Sequence, residues 1–238
     1  MFSGYVIHYP SHYLRLPDIY KMKLDHKLYL HTVAIFLFAL FLPYIGHNIL
    51  TSSQEIVEFI ELFQSLWLLF GALFTWFYIK TLQDDRDKQI FWLWSVIWWL
   101  LLFGRGINWG RNYLPDVPKS YFRLVSVVLI GITVLMLILP AVRREIIRRF
   151  RTEAFPVWDG VLMVVYFLIS DTIEHHRLLS FLFVYDVRYR NLMEELYELP
   201  FMFSLFFIVF YLQQKERQVS ALYYSRSSCK HSYPQRRI

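Results

Sequence analysis

Residues 59–79 read FIELFQSLWLLFGALFTWFYI, and residues 122–142 read FRLVSVVLIGITVLMLILPAV. Each matches the ~20 residues that carry a helix across ~30 Å of hydrocarbon. Runs of this length constrain the chain more than any other feature, because a soluble core has no room for several of them. The rest of the sequence agrees. Hydrophobic residues make up 56% of the 238 positions and aromatics 20%, whereas charged residues are 18%, against about 25% in a typical soluble domain. Bilayer, not water, is the expected solvent for most of the surface.

Six apolar spans are predicted. They run from Leu28 to Ile45, up to Ile79, from Ile90 onward, from Phe122 to Val142, from about Pro156, and finally to Leu212. Connections between them are short and there is no internal repeat, so the expected fold is all-α: one polytopic membrane helix bundle. It divides into an interfacial, amphipathic leader (1–27), a six-span domain (28–214) and a basic tail (215–238) expected to be disordered. The first apolar run begins near Leu28, too late for a cleavable signal. Cys229 is the lone cysteine, which excludes an internal disulfide.

Lys and Arg set the orientation. The leader, the second and fourth connections and the tail are basic, the fourth carrying Arg143, Arg144, Arg148, Arg149 and Arg151. The first connection, GHNILTSSQ, has no Lys or Arg. Both termini are therefore expected in the cytoplasm, with the chain in a bacterial inner membrane. The net charge of +6 is read as contact with anionic lipid, not nucleic acid. The run RREIIRRFR is read as an anchor on that lipid. Membrane lipids are the expected partners, and no protein partner is identified.

Three spans are too short unless charged residues are counted in. The third must continue past Gly104 through Arg105, Asn108 and Trp109. The fifth must take in Asp171 and Glu174, and the sixth must start near Glu194, with Pro200 inside it. The second opens on Glu58 and Glu61. All these ends lie on the non-cytoplasmic side. The spacing places Asp171, Glu174 and His175 on one helix face, and Glu195 with Glu198 on another. A polar pocket at that face is predicted, ringed by five spans, with the fourth outside it facing lipid. Charge at membrane depth is costly, so Arg105 is expected to meet Asp171 or Glu174.

The segment GRGINWGR, residues 104–111, resembles the G-x-E-I-S-W-G-x-R stretch of uncharacterised bacterial multi-pass inner-membrane proteins. Those proteins also carry a Glu early in the preceding span, where Glu61 stands here. The resemblance covers spans two to four, has Gly106 where the pattern has Glu, and implies no activity.

The candidate catalytic set is Asp171, Glu174, His175, Glu195 and Glu198. Arg105, Asn108, Trp109 and Glu61 are the candidate substrate contacts. A divalent metal at Asp171, His175 and Glu198 is compatible with these residue types but not favoured, because the chain lacks a repeated Glu-x-x-His. Three functions fit. One is a membrane-embedded enzyme acting on a lipid or lipid-linked substrate, with Glu198 or Asp171 as general acid or base beside His175. The second is a non-catalytic accessory or assembly protein. The third is a small proton-coupled transporter, disfavoured because the inner half of each span reads as free of ionisable groups. A solvated helix end or an ion-pair network explains the same charged residues without any chemistry.

Overall fold

The computed structural model describes residues 23–49, 54–82, 85–107, 109, 116–177, 179–184 and 186–231. Residues 1–22 of the predicted interfacial leader, Asn108, Arg111 and residues 232–238 lie outside them. The described chain is all-helical apart from two three-residue strands. Its helices are α1 (Leu30–Tyr44), α2 (Gln54–Ile79), α3 (Arg86–Gly106), α4 (Lys119–Met136), α5 (Pro140–Thr152), α6 (Val157–Glu174) and α7 (Arg190–His231). Four segments are long and apolar enough to cross a membrane: Leu30–Asn48, Gln54–Ile79, Lys119–Met136 and Val187–Val219.

Local chemistry sets most of the boundaries. The Asp85 carboxylate accepts the Lys88 amide at 3.3 Å and caps α3. Pro43 lies in the last turn of α1, where the chain widens into a π-turn over Ile45–Ile49. His176, with φ 52°, ends α6 in the left-handed region. Pro140 corrects one expectation. The run 122–142 is not one helix, because α4 stops at Met136 and α5 starts afresh with Pro140 in its first turn. Proline disfavours helical geometry in the residue before it and supplies no amide to the preceding turn.

Packing partners give the helix directions. Gly71 meets Trp99 and Tyr78 meets Trp92, so α2 and α3 are antiparallel. His31 lies against Phe207 and Phe38 against Phe203, and Phe167 lies against Phe201 and Ser170 against Glu198, so α1 and α6 both run opposite to α7. Trp67 and Phe70 lie beside Phe203 and Phe206, so α2 and α7 run together. One end of the bundle therefore gathers the start of α2, the ends of α3 and α6 and the start of α7. The opposite end gathers α5 with the part of α7 around Leu212 and Glu216.

Helix α7 is the shared wall of two apolar clusters. One is built with α1 and α6 around Leu42, Ile173, Leu192 and Met193; the other is built with α2 and α3 around Leu68, Trp99, Met202 and Phe206. Helix α4 packs chiefly on α3. Only 6% of its apolar window is buried, which agrees with a lipid-facing position.

Two further differences from expectation appear at the chain's polar ends. Lys23–Asp25, the last part of the leader, is a strand (β1) paired in parallel with Ala154–Pro156 (β2). Helix α7 continues through His231, so residues 215–231 are helical where composition predicts disorder. Once a helix is nucleated, each added residue gains a hydrogen bond at little cost, and Gln213, Gln214, Lys215, Glu216 and Arg217 are good helix formers.

Candidate functional site

A cavity of ≈ 350 Å³ opens where α2, α3, α6 and α7 meet at their charged ends. Helix α2 contributes Glu61 and Gln64. Helix α3 contributes Arg105 and Gly106. Helix α6 contributes Ser170, Asp171 and Glu174, with His175 just beyond it, and α7 contributes Glu194, Glu195 and Glu198. Leu68, Leu102, Phe167, Phe201 and Met202 form the apolar part of the wall. On each helix the polar residues lie nearer the charged end, so the cavity is polar at its mouth and apolar deeper in the bundle.

The mouth is organised by ion pairs. Arg105 reaches Glu174 at 3.9 Å, and Arg177 reaches Asp171 at 2.8 Å. His175 Nδ1 lies 3.4 Å from Asp171 Oδ1 and 3.8 Å from Glu174 Oε2. These groups are mostly solvated: Arg105 is 65% and His175 55% exposed. Deeper in, Ser170 and Gln64 are buried, and Glu194, Glu195 and Glu198 are half-buried. Ser170 Oγ donates to Glu198 Oε1 at 3.5 Å, and the Gln64 amide donates to the Glu195 carbonyl at 2.8 Å.

Asp171, Glu174, His175, Glu195, Glu198, Arg105 and Glu61 thus share one cavity. Trp109 does not. It adopts φ 59° and folds its ring back onto Gly104, where a Cβ would clash with the indole. Helix α1 is also absent from the wall, so four helices and not five surround the cavity; His47 instead lies edge-on to Tyr189 at 4.9 Å. Helix α4 is outside it.

Among the described residues no three His, Cys, Asp or Glu side chains are grouped to hold a metal ion. Glu198 turns to Ser170, and His175 lies at the exposed mouth.

No family model, curated protein or solved structure matches the chain. Its chemistry is therefore read from its own geometry. Six carboxylates line the cavity against Arg105 and His175. Such a set can exchange protons with a bound molecule and can balance positive charge. The wall below them can take an apolar tail.

The opposite end holds polar residues that the apolar runs conceal. Arg149, 6% exposed, pairs with Glu216 at 2.9 Å, Glu145 at 3.0 Å and Glu153 at 3.2 Å. Glu216 also accepts from Tyr78 at 3.0 Å and Trp92 at 2.8 Å. This corrects the reading of RREIIRRFR as a simple lipid anchor. Arg143, Arg144 and Arg151 are exposed, but Arg149 turns inward and Arg148 joins Glu145.

Asp159, 1% exposed in the first turn of α6, accepts from Thr32 at 2.7 Å and lies 3.2 Å from His31. Nearby, the Tyr211 hydroxyl donates to Asp25 at 2.6 Å and holds that carboxyl low, at about 2. The half of the bundle at the α5 end, expected from the sequence to be free of ionisable groups, thus carries several. Asp159 was legible, since a carboxylate three residues into an apolar run needs a partner. Glu216 was not, because QQKER reads as an ordinary solvated stretch.

Proposed function

We propose that this chain is a six-span integral membrane protein whose cavity is the active site of an enzyme acting on a lipid or lipid-linked substrate. The single observation that carries the reading is the cavity's amphipathic wall. Carboxylates from three helices surround its mouth, and Leu68, Leu102, Phe167, Phe201 and Met202 continue inward. An amphiphile has that same division of polarity. Glu198, held by Ser170, and Asp171, held by Arg177, are the acid/base pair. Arg105 at the mouth holds an anionic headgroup.

Six crossings are part of the proposal. Helices α3 and α6, 21 and 18 residues long, reach roughly 27–31 Å at 1.5 Å per residue, which is enough to span. Both termini are assigned to the cytoplasm, in a bacterial inner membrane, from the basic residues that collect at the α5 end. A reporter fused after Ile238 is expected to be active only in its cytoplasmic form. Activity of a periplasmic reporter at that position reverses the orientation.

The enzyme reading is tested with Glu198→Gln and Asp171→Asn, each expressed in a deletion strain whose lipids are profiled by mass spectrometry. Each variant should accumulate to wild-type level yet reproduce the lipid profile of the deletion. In a purified assay on the accumulated lipid, loss of one acid/base group should cost about 10²–10⁴-fold in rate. An unaltered lipid profile in the deletion strain, or full complementation by both variants, overturns it.

A further inference from the structure

A second cavity, of ≈ 220 Å³, lies at the basic end and is walled almost wholly by hydrocarbon. Phe91 and Trp94 of α3, Ile146 and Phe150 of α5, Phe155 of β2 and Leu212 of α7 form its sides. Arg149 and Glu153 are its polar members, already tied to each other. Helix α5 is strongly amphipathic, with Ile146, Arg149 and Phe150 on one face at helical spacing and Glu153 just past its end. That pattern suits a helix lying in the membrane interface.

The charge beside this groove is specific. Arg144 is engaged by Asp87 at 2.9 Å, Arg148 by Glu145 at 2.5 Å, and Arg149 by three carboxylates. Arg143 is exposed, and among the described residues it has no ion-pair partner. It stands outside the groove's own lining, one helical turn before Ile146, which is the first α5 residue in that lining. An apolar slot next to an uncompensated guanidinium, at interfacial depth, matches an acyl chain joined to a phosphate.

We propose that the groove between α3, α5 and α7 binds one acyl chain of an anionic phospholipid from the adjoining leaflet, with the lipid phosphate held by Arg143. The site is separate from the carboxylate cavity, so it stands or falls independently of the enzyme reading. A neutral zwitterionic lipid offers the same chain but a weaker match to the guanidinium. The Trp94 indole donates to the Thr133 carbonyl at 3.0 Å. Its ring is thereby fixed in the groove wall and can report what enters.

Full-length protein is reconstituted with phosphatidylcholine containing increasing fractions of lipid brominated along the acyl chain. The Trp94 signal is taken as the difference in fluorescence between wild type and Trp94→Phe. Brominated phosphatidylglycerol should quench that component at about fivefold lower mole fraction than brominated phosphatidylcholine, the order expected for one basic side chain at a lipid phosphate. Arg143→Gln should remove the preference and Arg143→Lys should keep most of it. Ile146→Phe, which narrows the slot, should weaken quenching by both lipids. Equal quenching by the two lipids in wild type means bulk lipid contact only and overturns the proposal. No quenching by either means that protein covers the groove, which overturns it too.

Discussion

Arg149→Met should lower the stability of the folded bundle by about 3–5 kcal/mol, the range seen when one partner of a buried charge network is removed. The guanidinium is 6% exposed and touches carboxylates of Glu145, Glu153 and Glu216 at 3.0, 3.2 and 2.9 Å. Its plane lies over the rings of Phe91 and Trp92, 4.3 and 4.7 Å from their centres. Methionine keeps much of the volume but leaves Glu216, 5% exposed, without its nearest cation, and Glu145, 3% exposed, with Arg148 alone of its two arginines.

Three controls separate charge from packing. Arg149→Lys keeps one charge but cannot fork to several carboxylates, so it should fall between wild type and methionine. Adding Glu216→Gln to Arg149→Met should recover part of the loss, because a neutral amide is cheaper to bury than an orphaned carboxylate. Arg144→Met breaks only the exposed pair with Asp87 and should cost less than about 1 kcal/mol. Thermal unfolding in detergent reads all four, with a fall of roughly 10 °C expected for Arg149→Met from the usual 2–4 °C per kcal/mol at this size. A fall no larger than that of Arg144→Met rules out a buried clamp joining α3, α5 and α7.

Trp99→Ala should be the most damaging change within the apolar interior, at about 3 kcal/mol. Trp99 is 2% exposed, and its ring lies on Gly71, where an added Cβ would sit 2.9 Å from two ring carbons. Truncating a buried Trp costs about 3–5 kcal/mol in water-soluble proteins. The lower end applies here, since lipid solvates apolar side chains in the unfolded state as well, and packing carries most of the helix association. Gly71→Val approaches the same contact from the other side and should cost about 1–3 kcal/mol by overpacking. Trp99→Leu should rescue part of Gly71→Val, so the double variant is more stable than the two separate losses predict. Simple additivity in unfolding experiments would show that α2 and α3 do not meet at this point.

Local sequence determined a good deal of this protein. The lengths of the apolar runs, set against the width of a bilayer, lead to an all-helical chain with membrane-crossing helices. The six-span expectation in turn counts in charged residues at the ends of α3, α6 and α7. The i, i+3, i+4 spacing then puts Asp171, Glu174 and His175 together, and Glu195 with Glu198, on one helix face each. These are short-range relations, and helical geometry alone is enough to read them.

Tertiary structure decided which faces meet. His47, in the π-turn that follows α1, lies against Tyr189 and outside the cavity, so the first span adds nothing to a wall expected to include it. A left-handed residue turns Trp109 back onto Gly104, a reversal that no periodic pattern encodes. Lys23–Asp25 becomes a strand because Ala154–Pro156, far along the chain, offers the matching edge. Arg149 stands in a run of arginines that a charge count assigns to lipid. It is buried because Glu216, 67 residues away, arrives on α7 at the same depth. Charge sums and hydropathy are properties of a segment, whereas an ion pair depends on the register and rotation of two helices. Those quantities are set only when the whole bundle packs.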